Sequence, residues 1–223
     1  MTDTLEFLTV DTGTDPDACV IWLHGLGADG HDFEPIVPEL DLPAGSAVRF
    51  LFPHAPVMPV TINGGLAMRA WYDFERLDFD QGENRAQIRD SVARVTALID
   101  DQRAAGIAGE RLILAGFSQG GVIALHAGLG YRERLGGVMA LSTYLPMAQE
   151  LEARLVLANR GLPVFLAHGH HDEIIPLPAG HRARDWLKEQ GFAVEAHDYP
   201  MGHGVCNEEI AAIAHWLRAR LAG

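Results

Sequence analysis

Cysteine is scarce in this chain: Cys19 and Cys206 are the only two among 223 residues. Two cysteines are too few for a disulfide framework or a thiolate zinc site, which excludes the disulfide-stapled and zinc-finger classes. Long apolar runs are missing as well, since the longest, 18–23 and 112–115, fall far short of the ~20 residues that a membrane-spanning helix needs. We therefore expect no stable membrane insertion.

Basic residues are in deficit too, with 17 Lys and Arg against 30 Asp and Glu and a net charge of −13. Nucleic acids and anionic membrane surfaces are polyanions, so this balance argues against both as main partners. The first residues carry two acids, no Lys or Arg and no apolar core, unlike a secretory signal peptide. The sequence predicts a cytoplasmic protein.

No repeat, low-complexity block or Ser/Gly linker marks a domain boundary. A chain of this length buries about 70–75% of its unfolded surface on folding, so it needs no metal or disulfide staple. Its hydrophobic fraction of 48% is ordinary for a globular protein. We expect a single domain over residues 1–223.

Short apolar segments, each followed by a polar or Gly-rich loop, recur along the chain. Because they are apolar on both faces, they are typical of buried parallel strands. Helical patterns lie between them, and Ile88, Val92, Val95 and Ile99 form one such stripe. This order indicates an α/β fold, with a mostly parallel sheet and helices on both faces. The predicted strands are 18–23, 47–52, 111–115, 137–141, 163–167 and 194–199.

The segment Gly116-Phe117-Ser118-Gln119-Gly120 matches the pattern G-x-S-x-G between a predicted strand and a helix-compatible run, 122–129. In a nucleophile elbow this pattern places the serine on a strained strand-to-helix turn, where larger residues at the glycine positions would collide with backbone. With four serines and 24 glycines in the chain, random placement gives roughly 0.05 such matches. The alternative is a Gly-rich turn in which the serine has no role.

A nucleophilic serine needs a base and a group that orients the base. Asp172 and His203 follow later strands in the Ser, Asp, His order of α/β-hydrolases, so we expect both at the sheet edge that carries Ser118. Glu173 and Asp198 are rival acids. Asp198 lies within the last predicted strand, and the longer arm of Glu173 is harder to hold in one rotamer. The sequence favours Asp172.

An oxyanion hole is expected to combine the backbone N–H of Gln119 with that of Leu26, in the loop that follows an early strand. His24, in the same loop, is expected to brace it by hydrogen bonding. A second cluster, His168, His170, His171 and Asp172, suggests a metal site, but its spacing is unlike a helical H-E-x-x-H motif. We expect no metal there, and histidines that lie either on the surface or next to the site residues.

Taken together, these motifs resemble the small bacterial carboxylesterases of the α/β-hydrolase family that are related to acyl-protein thioesterases and lysophospholipases. Thr143 departs from the family pattern, which more often has a small residue or Cys there, and His170-His171 is unusual before the acid. The resemblance covers nearly the whole chain. The matching segments are 23–28, 53–56, 59–65, 68–73, 116–121, 141–142, 144–146, 168–169, 172 and 202–203.

The resemblance implies that Ser118, Asp172 and His203 form a catalytic triad, with Leu26 and Gln119 as oxyanion donors. It also implies a fold without a large cap, no cofactor, and often a homodimer. The predicted function is hydrolysis of carboxylic esters with short to medium acyl chains through an acyl-serine intermediate, on small-molecule or lipid-like substrates. Acyl-protein thioesterase or lysophospholipase activity is the alternative. A non-catalytic binding protein of the same fold and a metal-dependent hydrolase are the rival classes.

Segment 57–74 is apolar without a helical period and contains the turn signal Asn63-Gly64. It is either a surface hairpin packed on the core or, as the resemblance favours, a flap over the active site that lines an acyl groove. Met68 and Trp71 are its predicted substrate-binding residues. Tyr144 and Leu145, after a later strand, complete the predicted substrate-binding set.

Overall fold

The computed structural model describes residues 4–43, 45–76, 79 and 82–221. Nine strands occur among them: β1 (Phe7–Asp11), β2 (Ala18–Leu23), β3 (Val48–Pro53), β4 (Val57–Val60), β5 (Leu66–Arg69), β6 (Leu112–Phe117), β7 (Gly137–Leu141), β8 (Pro163–Gly169) and β9 (Ala193–Tyr199). Seven of these form one sheet in the order β1-β3-β2-β6-β7-β8-β9. Only β1, on β3, pairs antiparallel in it, and the predicted mostly parallel sheet is confirmed.

The α-helices among the described residues are α1 (Arg85–Ala104), α2 (Gln119–Leu129), α3 (Ala148–Glu152), α4 (Leu177–Glu189) and α5 (Asn207–Leu221). A 3-10 helix at Glu34–Leu40 adds to one face of the sheet. None of the helices in this described part is both long and apolar enough to cross a bilayer.

Strand β2 explains why the sheet is covered on both faces. All of its residues are buried, and side chains alternate across a strand. Its odd-numbered residues pack in the core with α1, α2 and α4, and its even-numbered residues pack with α5 and the 3-10 helix. A strand buried on both faces reads as a continuous apolar run, which is the signal that the sequence carries.

Each predicted strand is present in the structure, and the ends differ by up to two residues. The predicted strands 18–23 and 137–141 agree to the residue. Two strands end two residues later than predicted, β6 at Phe117 and β8 at Gly169. The longer β8 places His168 inside the strand and not in the following loop. Elements without a predicted counterpart include β1, α3 and α4.

Segment 57–74 contains an antiparallel hairpin, β4 paired with β5, that forms a two-stranded sheet of its own. Its turn is a short 3-10 helix, Thr61–Asn63, followed by Gly64 at φ 68°. The left-handed angle suits glycine and agrees with the predicted turn at Asn63-Gly64. Val57 and Leu66, one on each strand, are both 63% exposed, so the hairpin stands out from the core.

Candidate active site

Ser118 lies between β6 and α2 with a left-handed backbone angle, φ 54°. A non-glycine residue in this region is strained by about 1–3 kcal/mol, and such strain persists only where the surroundings fix it. Here the Ser118 N–H donates to the Leu141 carbonyl at 2.9 Å, and the Thr143 hydroxyl donates to the Ser118 carbonyl at 2.7 Å. Thr143, which departs from the family pattern, therefore stabilises the turn at Ser118.

The two glycines of the motif are required by close backbone approach. A Cβ on Gly116 would collide with the Gly120 carbonyl. A Cβ on Gly120 would lie 2.5 Å from the carbonyl oxygens of Leu23 and His24. The elbow thus packs directly against the end of β2, and the loop after β2 is brought beside Ser118.

Ser118, His203 and Asp172 form one hydrogen-bonded chain. His203 Nε2 lies 2.9 Å from Ser118 Oγ, and His203 Nδ1 lies 2.8 Å from Asp172 Oδ2. A carboxylate only accepts, so Nδ1 carries a proton and Nε2 is free to accept the serine proton. The other oxygen, Oδ1, accepts the N–H groups of Ile174 and Ile175 at 2.9 and 2.8 Å. The carboxylate is thereby held in one orientation.

The rival acids have other surroundings. Asp198 Oδ2 lies 2.8 Å from His181 Nε2, which ties β9 to α4. Glu173 is exposed. Asp172 is the carboxylate that meets the His203 imidazole, and its side chain has 0% exposure. The structure therefore places Asp172, and neither Glu173 nor Asp198, beside His203.

Leu26 and Gln119 are brought together beside Ser118, and both line the pocket into which Ser118 opens. Within the described part of the chain, neither backbone N–H has a hydrogen-bond acceptor. Gln119 is also the first residue of α2, so the positive end of the helix dipole faces the same place. Two free N–H groups and a helix N-terminus are suited to an oxyanion.

The loop that carries Leu26 is braced by His24. Its Nδ1 lies 2.7 Å from the Gly25 carbonyl, and its Nε2 accepts the Ala55 N–H at 3.0 Å. Burial lowers the pKa of His24 to about 4, so the ring is neutral near pH 7 with its proton on Nδ1. The Gly27 N–H adds a bond to the Arg69 carbonyl at 2.8 Å. His24 braces the loop, as its position in the sequence predicts.

Trp71 is a second brace, and it is 0% exposed. The indole N–H donates to the His24 carbonyl at 2.9 Å, and the Trp71 backbone N–H donates to Gln119 Oε1 at 2.7 Å. The Ser91 hydroxyl in turn donates to the Trp71 carbonyl. Trp71 therefore joins the loop that carries Leu26, the turn at Ser118 and α1. The sequence predicted that it lines the acyl groove, whereas the structure places it inside the molecule.

A mainly apolar pocket of about 330 Å³ opens beside Ser118. Tyr144, one of the predicted substrate-binding residues, lies in its wall, with its hydroxyl 3.0 Å from that of Tyr72. Burial raises the pKa of both phenols, so both are neutral. The lining residues are Gly25, Leu26, Ala28, Asp32, Tyr72, Phe74, Phe79, Phe117, Ser118, Gln119, Tyr144, Ile174, Ile175 and His203.

The other predicted substrate-binding residues lie elsewhere. Leu145 lines a neighbouring cavity of about 220 Å³, which shares Phe79 and Tyr144 with the pocket. Met68 is on the hairpin, where its sulfur accepts an N–H of Asn63 at 3.3 Å.

Several wall residues of the pocket were not named individually as substrate-binding residues. Ile174 and Ile175 follow Asp172 after one intervening residue, and Tyr72 and Phe74 end segment 57–74, which was predicted as a whole to line the groove. Their position next to predicted site residues was the available signal. The sequence did not distinguish which neighbours face the pocket and which face the core.

The histidine cluster is not a metal centre in the described residues, where no group of three or more His, Cys, Asp or Glu could hold a metal ion. His170 and His171 are exposed, with ring centroids 6.5 Å apart. His168 is buried inside β8. The three rings therefore point into different environments.

Comparison with known proteins agrees with this geometry. The family model described as phospholipase/carboxylesterase matches residues 6–221. Acyl-protein thioesterase 1 of Neurospora crassa is 38% identical over 92% of this chain and 87% of its own length. The crystal structure of SOBER1 from Arabidopsis thaliana has a TM-score of 0.85 at 34% identity, covering 92% of this chain and 99% of that one. Zea mays acyl-protein thioesterase 2 has a TM-score of 0.84 at 29% identity, covering 97% and 99%.

The parallel sheet, the strained serine turn and the Ser–His–Asp chain define an α/β-hydrolase. Within that class, the chain belongs to the phospholipase/carboxylesterase family.

Proposed function

We propose that this protein is a serine esterase that cleaves carboxylic esters with short to medium acyl chains through an acyl-Ser118 intermediate. The observation that carries the proposal is the Ser118–His203–Asp172 chain, with distances of 2.9 and 2.8 Å, opening on an apolar pocket. The curated relatives include the carboxylesterase SOBER1 of Arabidopsis thaliana, 35% identical over 92% of this chain and 91% of its own length.

In the proposed mechanism, Ser118 Oγ attacks the acyl carbon while His203 Nε2 takes its proton. Asp172 stabilises the imidazolium that forms, and the backbone N–H groups of Leu26 and Gln119 bind the tetrahedral oxyanion. The C–O or C–S bond of the leaving group breaks, and the alkoxide or thiolate that leaves takes the proton from His203 Nε2. Water then attacks the acyl-serine by the same route, and His203 first accepts and then returns a proton.

The acyl chain is proposed to occupy the pocket of about 330 Å³, whose Leu26, Phe74 and Ile175 side chains give it an apolar lining. Segment 57–74 acts in this proposal as a flap. Its hairpin projects from the core, while its last residues, Tyr72 and Phe74, belong to the pocket wall. Trp71 fixes the base of the flap to the oxyanion loop.

Acyl-protein thioesterase or lysophospholipase activity is the second candidate, supported by the relative from Neurospora crassa. Oxygen and sulfur esters share the same tetrahedral intermediate, so the site is suited to both. A hydrolysis series over acyl chains of increasing length, on matched oxygen and sulfur leaving groups, separates the candidates. A rate that peaks at short oxyesters favours the esterase, and one that rises with long thioesters favours the thioesterase.

A cytoplasmic location and a homodimer are part of the proposal. The resemblance to the phospholipase/carboxylesterase family supports them. Fractionation of expressing cells and light scattering of the purified protein test the two points separately.

Ser118→Ala is expected to abolish ester turnover and labelling by an organophosphonate, without unfolding the protein, because only the nucleophilic hydroxyl is lost. Ser142→Ala is the matched control, since Ser142 is buried, left-handed at φ 45° and follows the next strand. It should keep both turnover and labelling. A folded Ser118→Ala protein within tenfold of wild-type activity would contradict the proposal.

A further inference from the structure

His168 is a buried histidine that the proposed mechanism does not use. It lies in β8, four residues before Asp172, and its side chain is 6% exposed. Nε2 of the ring is 2.8 Å from the Ile175 carbonyl and 3.4 Å from Asp172 Oδ2. A carbonyl oxygen only accepts hydrogen bonds, so Nε2 must carry the proton. His168 therefore donates a hydrogen bond to the last residue of the loop that carries Asp172.

The loop 170–175 has two functions, and the hydrogen bond of His168 connects them. Asp172 accepts the N–H groups of Ile174 and Ile175, and Ile174 and Ile175 are also part of the pocket wall. The Ile175 carbonyl faces His168 and the Ile175 N–H faces Asp172. Ile175, a residue of the pocket wall, thus connects to β8 through its carbonyl, which accepts from His168, and to Asp172 through its N–H.

The His168 ring packs closely against the backbone of α4. A Cβ on Gly180, in α4, would collide with the His168 imidazole. The helix therefore packs directly on the ring and confines it between β8 and α4. A side chain held on both sides loses little entropy when it forms its hydrogen bond.

Burial also lowers the pKa of His168, so the ring stays neutral at neutral pH. The titratable groups near it are Asp172 and His203 on the two loops of the site, and Asp198 in β9. His181 and Arg184 of α4 and His197 of β9 line the same small space. A neutral ring does not compete for the Asp172 charge, which then remains available to the His203 imidazolium.

We propose that His168 is a positioning residue, whose Nε2–H holds the loop 170–175 so that the Asp172 carboxylate stays aligned with His203. The proposal rests on the proposed function, because it assigns Asp172 its catalytic role. His168 acts through Asp172 and touches no substrate. Its Nε2–H donor is the feature that matters, and a side chain with a donor at the same reach should replace it.

The test compares His168→Ala, His168→Gln and His168→Asn by kcat, KM and the pH profile of kcat/KM. His168→Ala should lower kcat by up to about 10²-fold, the loss that a misplacement of about 1 Å causes, with KM little changed. A less well held carboxylate stabilises the imidazolium less, so the acid limb of the profile should move to lower pH by about 0.5 unit or more. Gln, whose amide reaches as far as Nε2, should restore most of kcat, and the shorter Asn should not.

His126 provides the matched control. It is also buried, donates to a backbone carbonyl (Pro146, 2.9 Å) and has its pKa lowered by burial to about 4. His126→Ala should lower the melting temperature while leaving the acid limb of the profile in place. The same outcome for His168→Ala, with wild-type kcat, would show that His168 only stabilises the fold.

The outcomes separate this inference from the proposed function. If Ser118→Ala retains activity, the proposed function fails. If Ser118→Ala and Asp172→Asn are inactive while His168→Ala matches wild type, only the role of His168 is overturned. Should His168→Ala not fold, the comparison of Gln with Asn decides, and equal kcat values for the two would overturn the proposal.

Discussion

At the residue scale, the site depends on how firmly the two oxygens of the Asp172 carboxylate are oriented. Its Oδ1 is occupied by two backbone N–H groups, so only Oδ2 is available to the imidazole. An amide at this position keeps the Oδ1 acceptor but turns an NH₂ group toward Nδ1–H of His203. Two donors cannot share a hydrogen bond, so the imidazole is driven to the tautomer that cannot accept the serine proton.

We therefore expect Asp172→Asn to lower kcat by at least about 10²-fold, since the same change in a serine protease of the chymotrypsin type lowers kcat by about 10⁴. Glu173→Gln and Asp198→Asn should stay within roughly tenfold of wild type, since Glu173 is exposed and Asp198 pairs with His181. Steady-state kinetics on one short ester checks all three. A crippled Asp198→Asn beside an active Asp172→Asn would reverse the assignment.

Trp71 illustrates a residue whose role depends on one polar atom. Trp71→Phe keeps the aromatic bulk but loses the N–H that holds the His24 carbonyl, so the loop carrying Leu26 is less well fixed. We expect kcat to fall about tenfold, less than the ~10²–10³ for deleting an oxyanion donor itself, and by the same factor for every chain length. Phe74→Ala, which removes a wall residue of the pocket, should instead change the relative rates among chain lengths. If Trp71→Phe instead changed the relative rates among chain lengths, that result would support the groove-lining role that the sequence predicted for Trp71.

At the element scale, α5 begins just after the loop that carries His203, and its first turn contains a buried carboxyl. Glu209 is 0% exposed, and neither carboxyl oxygen has a hydrogen bond of regular geometry among the described residues, so the nearby backbone of Cys206 only partly offsets the cost of burial. Burial raises its pKa to about 8. Between pH 4.5 and pH 8 the Glu209 carboxyl keeps its proton in the folded state but loses it in the unfolded chain. The free energy of unfolding therefore declines as pH rises from about 4.5 to about 8.

Glu209→Gln should remove that decline, which amounts to at most about 1.4 kcal/mol per pH unit. The variant should therefore gain melting temperature relative to wild type at pH 8 and gain little at pH 5. Glu208→Gln, at an exposed position in the same turn, is the control and should show no such pH-dependent gain. The same difference in melting temperature between Glu209→Gln and wild type at pH 5 and at pH 8 would contradict the assignment.

The elements also explain what the sequence could predict. The buried strands are contiguous apolar runs, and the residues at their carboxyl ends, such as Ser118 and His203, could be placed at one sheet edge from order alone. Helix α4 buries Ala179, Ala183 and Leu187. Their four-residue spacing is a helical pattern that the sequence does contain, but two of the three residues are alanine, which stands out less than a stripe of larger apolar side chains. Pocket walls and braces such as Trp71 depend on packing between segments far apart in sequence, which no local pattern encodes.

At the scale of the whole molecule, the excess of acidic residues sets the field that a substrate meets. The net charge is −13, and Asp32 adds a carboxyl group to the pocket lining itself. An anionic substrate is repelled on approach, and salt screens the repulsion beyond a Debye length of about 10 Å at 0.1 M. A neutral ester with the same acyl chain experiences no such force.

The expected result is that kcat/KM for an anionic acyl ester rises as ionic strength increases from about 0.01 to 0.3 M, where the Debye length shortens from about 30 Å to well under 10 Å. For the matched neutral ester kcat/KM should stay nearly constant, which controls for effects of salt on folding and on the apolar pocket. The rise should lie in kcat/KM more than in kcat, because the field acts on encounter and not on the bound complex. Identical salt profiles for the two esters would mean that local groups at the pocket mouth, and not the net charge, govern access.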